Sequence, residues 1–202
     1  MNFLYRLIKF LNQKFKSFTS QYLGVILFKI NKITFGKGIY INGLPEMSIQ
    51  GEFTIGKNFK INSRIGANPI GRTFTCMFIV RKNATLVIGN NVGISGTTII
   101  CQKSIILGNN IKIGGNVCIY DTNFHSLNPL LRMSTKTDIE DTIKKEVIIK
   151  DNVFIGAHST ILKGVTIGEN SIIGACSVIS KNIPPNEIWV GNPAKFIKKI
   201  DI

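Results

Sequence analysis

The chain has 202 residues, 44% of them hydrophobic, so it can bury one core with a terminal appendage and is short for two independent domains. Its 25 Lys and Arg against 11 Asp and Glu give a formal charge of +14, which favours an anionic partner such as a phosphorylated cofactor, nucleic acid or a membrane surface. The longest apolar run near the start, Tyr22 to Phe28, is far below the roughly 20 residues that span a bilayer, which argues against a transmembrane helix.

Nothing near the start resembles a cleavable secretion signal. Cys76, Cys101, Cys118 and Cys176 lie far apart with no Cys-x-x-Cys spacing, so four free thiols in a reducing cytoplasm are expected.

Residues 1–30 read as a helical appendage. Leu4, Leu7, Leu11, Phe15, Phe18, Tyr22 and Val25 recur at steps of three and four, opposite Arg6, Lys9, Gln13 and Lys16. Half of the excess charge precedes Glu46, the first acidic residue. This basic amphipathic helix is expected to cap the domain that follows, with contact to an anionic membrane as an addition.

From residue 31 onward the period changes from helical to six. Ile149, Ile155, Ile161, Ile167, Ile173 and Ile179 are spaced by six without interruption, and Ile155, Ile167 and Ile173 are each followed by Gly. Side chains alternate faces along a strand, so a six-residue unit brings the same residue type back to the same face after a tight corner that Gly or Asn tolerates. Three such units close a triangular coil of about 18 residues, and stacked coils share one aliphatic core.

The same register appears at Ile49, Ile55 and Ile61 and at Ile88, Ile94 and Ile100, then slips by one residue to Leu107, Ile113 and Ile119; Phe35, Ile41 and Met47 suggest a frayed first coil. Two stretches break it. Residues 62–87 suggest an irregular coil with strands near Phe74 to Val80, and about 120–148 reads as a protruding loop that holds Asp121, His125, Arg132, Asp138, Glu140 and Asp141. At the end, Asn192 as a cap and Pro193 at a first helical position predict a short helix over about 193–200.

The order Ile155-Gly156-Ala157-His158, Gly164-Val165-Thr166-Ile167-Gly168, Ile173-Gly174-Ala175 and Gly191-Asn192-Pro193-Ala194-Lys195 resembles the hexapeptide-repeat acyltransferases, over most of the chain from about Phe35 to Ile200. Within them it looks like the maltose, galactoside and surface-polysaccharide O-acetyltransferases, and Tyr120 to Ser126 looks most like enzymes acting on capsule or lipopolysaccharide sugars. The resemblance implies an all-β domain over 31–202 with a left-handed parallel β-helix, a homotrimer, and acetyl-CoA as donor in a groove between neighbouring subunits. It places Ala157 and Ala175 beside the pantetheine arm, Ser180 and Lys181 near its outer part, and Lys198 near the nucleotide phosphates. Ser95 falls at the position of a substrate-contacting Asn in the galactoside enzymes.

The chemistry fits a histidine base. A neutral imidazole, with a reference pKa of about 6.5, can take the proton of a sugar hydroxyl as it attacks the thioester. His125 is the candidate; Asp121 is the candidate to orient its other ring nitrogen, with a backbone carbonyl or another loop carboxylate as alternatives. His158, inside a regular repeat, reads as a coil residue.

The competing readings are acetyl transfer to an amine of an amino sugar or antibiotic, a noncatalytic β-helical scaffold, and a γ-type carbonic anhydrase. The last needs three zinc-binding histidines, whereas this chain has two, and no metal is expected. No nucleic-acid motif accompanies the basic charge, so nucleic acid is not an expected partner.

Overall fold

The aliphatic period of six is realised as a three-sided stack of parallel strands. In the computed structural model, which describes residues 3–66, 70 and 74–201, the chain visits three sheets in turn, coil after coil. Residues 67–69 and 71–73, within the break expected at 62–87, lie outside the described residues, as do the side chains of Leu4 and Gln13. The first sheet contains Thr34–Phe35, Glu52–Ile55, Thr85–Ile88, Ser104–Leu107, Val147–Ile149 and Thr166–Ile167. The second begins with Tyr40–Asn42 and the third with Glu46–Ile49.

Registry explains why aliphatic residues recur. Ile55, Ile88, Leu107, Ile149 and Ile167 pair in sequence along one sheet. Met47, Phe78, Ile99, Ile119, Ile161 and Ile179 do so along another. Each fully buried Ile contributes roughly 1.5 to 3 kcal/mol of transfer free energy, and only the stack provides the burial.

The one-residue slip has a local cause. Between Ile94 and the next inward residue the spacing is five, so Ile99 and Cys101 are fully buried while Ile100 faces outward. The corner at Gly96, with φ of 50°, absorbs the missing residue.

A second regularity runs along the corner between the first and second sheets. Asn58, Asn91, Asn110, Asn152, Asn170 and Asn186 all have φ near 60°. Asn tolerates this left-handed conformation. Each side-chain amide but that of Asn186, the last, also donates to the Asn of the next coil, at 2.7–3.0 Å.

The helix Phe3–Ile30 covers the first coil with its C-terminal half. Phe28 is fully buried, and Gly24 lies so close to Ile41 that a Cβ there would meet that side chain at 2.7 Å. The Gln21 amide donates to Ile39 O at 2.9 Å and accepts from Ile41 N–H at 2.7 Å, so it pairs with the strand edge as another strand would. On the side turned away from the coil, Ile8, Leu11, Phe15, Tyr22, Ile26 and Ile30 are exposed. Among the described residues no helix is long and apolar enough to cross a membrane.

The short C-terminal helix expected at about 193–200 is instead a strand. Ala194–Lys199 runs antiparallel to Glu187–Gly191, with Trp189 opposite Phe196. Glu187–Gly191 pairs on one side with Ile172–Ile173, and its other edge would leave backbone groups unpaired. Pairing that edge outweighs the local cap signal at Asn192-Pro193.

Candidate active site

The protruding loop leaves the third sheet after Cys118–Tyr120 and returns to the first at Val147–Ile149. Its base is closed like a short ladder: Lys145 N–H donates to Asp121 O at 2.8 Å, Asn123 N–H donates to Ile143 O at 3.1 Å, and Thr122 bridges Lys144. Phe124 then turns the chain with φ of 66°, its ring edge-on to Tyr120 at 5.1 Å. A non-glycine residue in that region has a conformational cost, offset here by the Phe124 N–H bond to Thr122 Oγ1 and by the ring contact.

This turn presents His125 to solvent, with 71% of its side chain exposed. Its Nδ1 lies 2.7 Å from Asp138 Oδ2, and the other oxygen, Oδ1, accepts from Ser126 N–H at 2.7 Å. Asp138 sits on the helix Thr135–Asp141, which folds back over the loop, and Thr142 Oγ1 donates to its carbonyl at 2.7 Å. The His125 bond, followed by the Ser126 N–H bond, holds the Asp138 carboxyl below the usual carboxylate range. An ionised carboxylate only accepts hydrogen bonds, so Nδ1 carries the proton and a neutral His125 ring presents a bare Nε2 to the outside. Ser126 is fixed further by Asp141, which accepts from its hydroxyl, and by Arg132, which donates to its carbonyl at 2.7 Å.

Asp121 does not orient His125, which corrects the sequence expectation. Its carboxylate is fully buried and accepts from the N–H groups of Gln102, Lys103 and Ser104 at 2.6–3.0 Å, so it fixes the neighbouring turn. The alternative of another loop carboxylate is the one realised, by Asp138. Beneath that turn, burial, followed by the charge of Asp121, pushes the Cys101 thiol up to about 12.

The remaining candidates divide between two corners of one chain. At the corner between the second and third sheets lie Ser95, Ala157 and Ala175. Ser95 Oγ accepts from Asn62 Nδ2 at 3.3 Å, and a Cβ on Gly114 or Gly156 would press on the backbone of Ala157 or Ala175 at 2.6 and 2.5 Å. His158 follows at the same corner with φ of 62°, its N–H donating to Gly115 O at 2.8 Å, as the coil reading expected. At the opposite end of the third sheet lie the His125 loop, Ser180 and Lys181, the lysine's Nζ 5.4 Å from the centre of the Trp189 ring. Lys198 is exposed on the terminal hairpin, opposite Ile188. A single chain therefore brings His125 and Asp138 together but keeps Ser95, Ala157 and Ala175 a strand's length away. Among the described residues no three His, Cys, Asp or Glu side chains form a group suited to a metal ion.

Coils of this period, stacked in three parallel sheets, form a β-helix of six-residue repeats, and residues 146–181 match the family of bacterial transferase hexapeptide (six repeats). The fold is the left-handed parallel β-helix of that repeat. A hexapeptide-repeat-containing acetyltransferase of Vibrio cholerae is 30% identical over 58% of this chain and 64% of its own, with a TM-score of 0.52, so the chain spans less than two thirds of that relative. AntD, an N-acyltransferase from Bacillus cereus crystallised with dTDP and 3-hydroxybutyryl-CoA, is 22% identical over 90% of both chains, with a TM-score of 0.70. Its S84A mutant, crystallised with dTDP-4-amino-4,6-dideoxyglucose and coenzyme A, is 22% identical over 87% of this chain and 88% of its own, with a TM-score of 0.68. No curated protein matches the chain.

Proposed function

We propose that the protein is an acetyl-CoA-dependent O-acetyltransferase that acts on a sugar hydroxyl in surface-polysaccharide biosynthesis. The observation that carries this reading is the exposed His125 ring held at Nδ1 by Asp138, a general base with its accepting nitrogen turned outward. His125 takes the hydroxyl proton as the oxygen attacks the thioester carbonyl, and Asp138 stabilises the imidazolium that forms. Backbone N–H groups beside the groove stabilise the developing oxyanion, and the protonated ring then returns a proton to the leaving thiolate.

The donor would lie along the corner of Gly114, Ala157 and Ala175, where small residues leave room for a narrow chain, with Ser180 and Lys181 toward the outer part of its pantetheine arm and Lys198 toward its phosphates. The AntD complexes, with an acyl-CoA and a nucleotide-linked amino sugar, support this donor class and a sugar acceptor. Transfer to an amine of an amino sugar is the second reading, since AntD is itself an N-acyltransferase. The division of candidate residues between two corners supports a homotrimer in which one subunit's loop faces a neighbour's corner. We place the enzyme in the cytoplasm, with the outward stripe of the N-terminal helix against anionic lipid: Arg6, Lys9, Lys16 and Lys29 accompany that stripe without an acidic residue before Glu46.

The test is thiol release from acetyl-CoA across a panel of saccharides and amino sugars, with the product mass-analysed. Release with hydroxyl-only saccharides supports O-transfer, release confined to amino sugars supports the second reading, and silence across both rejects acetyl transfer.

A further inference from the structure

A cleft of about 550 Å³ lies between the N-terminal helix and the first coils. Phe10, Phe18 and Tyr40 contribute aromatic walls, Lys14 and Arg64 are its cations, and no acidic residue lines it. Asn42 is 91% buried, and its Nδ2 donates to Asn62 Oδ1 at 3.2 Å, which leaves its own Oδ1 without a donor. Arg64 Nε is likewise buried without an acceptor. Among the described residues these are the two buried side-chain polar atoms that lack a partner, and both belong to residues lining this one cleft. Leaving such groups unpaired is costly, so two in one cleft mark a place built for a ligand.

The unmet needs define its chemistry. Arg64 Nε requires an acceptor, and with Lys14 beside it and no carboxylate to compete, that acceptor is an anion. Asn42 Oδ1 requires a donor, which the dianion of a phosphate monoester does not supply but a sugar hydroxyl does. The aromatic walls suit the apolar face of a pyranose. We propose that the cleft binds a phosphate-bearing saccharide, with phosphate at Arg64 and Lys14 and a sugar hydroxyl at Asn42.

The cleft is joined to the corner already described. Asn42 pairs in register with Asn62, and Asn62 with Ser95, and their side chains are hydrogen-bonded in that order. At about 4.8 Å per strand, Asn42 lies roughly 10 Å from Ser95. A glycan anchored by its phosphate in the cleft therefore extends along a polar ladder toward Ser95 and the corner where the donor would lie. The purpose of this site, to hold the acceptor, rests on the acetyl-transfer reading; the binding itself does not.

Calorimetric titration of the full chain with glucose 1-phosphate, UDP-glucose, glucose and inorganic phosphate tests the site, with acetyl-CoA titrated in parallel. Glucose 1-phosphate is expected to bind at least about tenfold more tightly than glucose or phosphate, and Arg64→Gln to weaken it by about 10- to 100-fold with acetyl-CoA binding unchanged. Asn42→Asp, which sets a carboxylate beside the phosphate, shifts affinity the same way, and Lys14→Gln on the exposed helix gives a smaller loss. Tighter binding of UDP-glucose identifies a nucleotide-linked ligand; equal binding identifies the sugar phosphate alone as the recognised unit. No binding of either phosphorylated sugar at millimolar concentration, or affinity untouched in folded Arg64→Gln, overturns the proposal. Should Arg64→Gln not fold, Asn42→Asp and Lys14→Gln decide by the same criterion. Sugar-phosphate binding without acetyl-CoA binding sinks the transfer reading and leaves the cleft standing.

Discussion

The coils from Val147 to Ile179 and the loop from Asp121 to Glu146 hold their residues in place by different means. In the coils each inward Ile stacks on another Ile, and each exposed corner Asn is bonded to the next, so position is fixed by repetition. In the loop nothing repeats. His125 depends on one carboxylate, Ser126 on Asp141 and Arg132, and the loop's base on the pairing of 121–123 with 143–145. The contrast teaches that stability and the proposed chemistry belong to separable parts of the molecule, so mutations are expected to damage one and spare the other.

The largest expected effect belongs to the loop. His125→Ala should lower thiol release at saturating acetyl-CoA by about 10² to 10⁴-fold while leaving the melting temperature and acetyl-CoA affinity near wild type. Near-normal turnover in the folded variant would remove His125 from the mechanism. The converse experiment is Ile155→Ala, which should cost about 2 to 5 kcal/mol in denaturant unfolding, with the rate per folded molecule preserved. A large loss of rate at full stability would mean the two parts are coupled.

Two carboxylates sharpen the division further. Asp138→Asn should reduce kcat by roughly 10- to 100-fold and displace the pH–rate profile, because it removes the charged partner of the ring. Asp121→Asn should instead lower stability by about 1.5 to 3 kcal/mol, since the buried carboxylate accepts backbone N–H groups, with little change in the profile. Identical profiles for both variants would contradict the assignment of the orienting role to Asp138.

Acid separates the regions without mutation. Asp138 is held below its unfolded value of about 3.9, so its stabilisation is complete above that pH and drains away as pH falls through the lower native value. Hydrogen exchange is expected to rise at 124–142 in that window before it rises in the coils; simultaneous opening would argue against a locally held loop. The smallest effect is a thiol pattern. Alkylation near pH 8 should label exposed Cys176 and leave Cys76 and Cys101 protected, because burial pushes these thiols up to about 11 and about 12. Rapid labelling of Cys101 would show the turn above it to be open.

The coils were legible in the sequence because Ile155, Ile161, Ile167, Ile173 and Ile179 report the same environment at a constant interval. Ile100 was misread because a five-residue corner is invisible to a count of six. The terminal strand escaped because its pairing with Glu187–Gly191 is tertiary, whereas Asn192-Pro193 is a local signal. His125 stood out by its motif, but its partner did not. Asp138 lies 13 residues further on, and the short helix that returns it to the ring leaves no period to follow. Asp121, nearer in sequence, was the natural guess, yet its turn-fixing role depends on a preceding coil that no local pattern reveals.

A stack of identical coils has no intrinsic length: each open end offers bare strand edges to the next copy, which is how fibrils grow. Here Gln21 occupies the N-H and carbonyl of the first exposed strand, and the antiparallel hairpin at 187–199 reverses the direction of the last. Neither segment belongs to the repeat, and for that reason neither can propagate it. The two ends are therefore chain terminators in the polymer sense, and their presence makes a repeating sequence fold to a particle of fixed size.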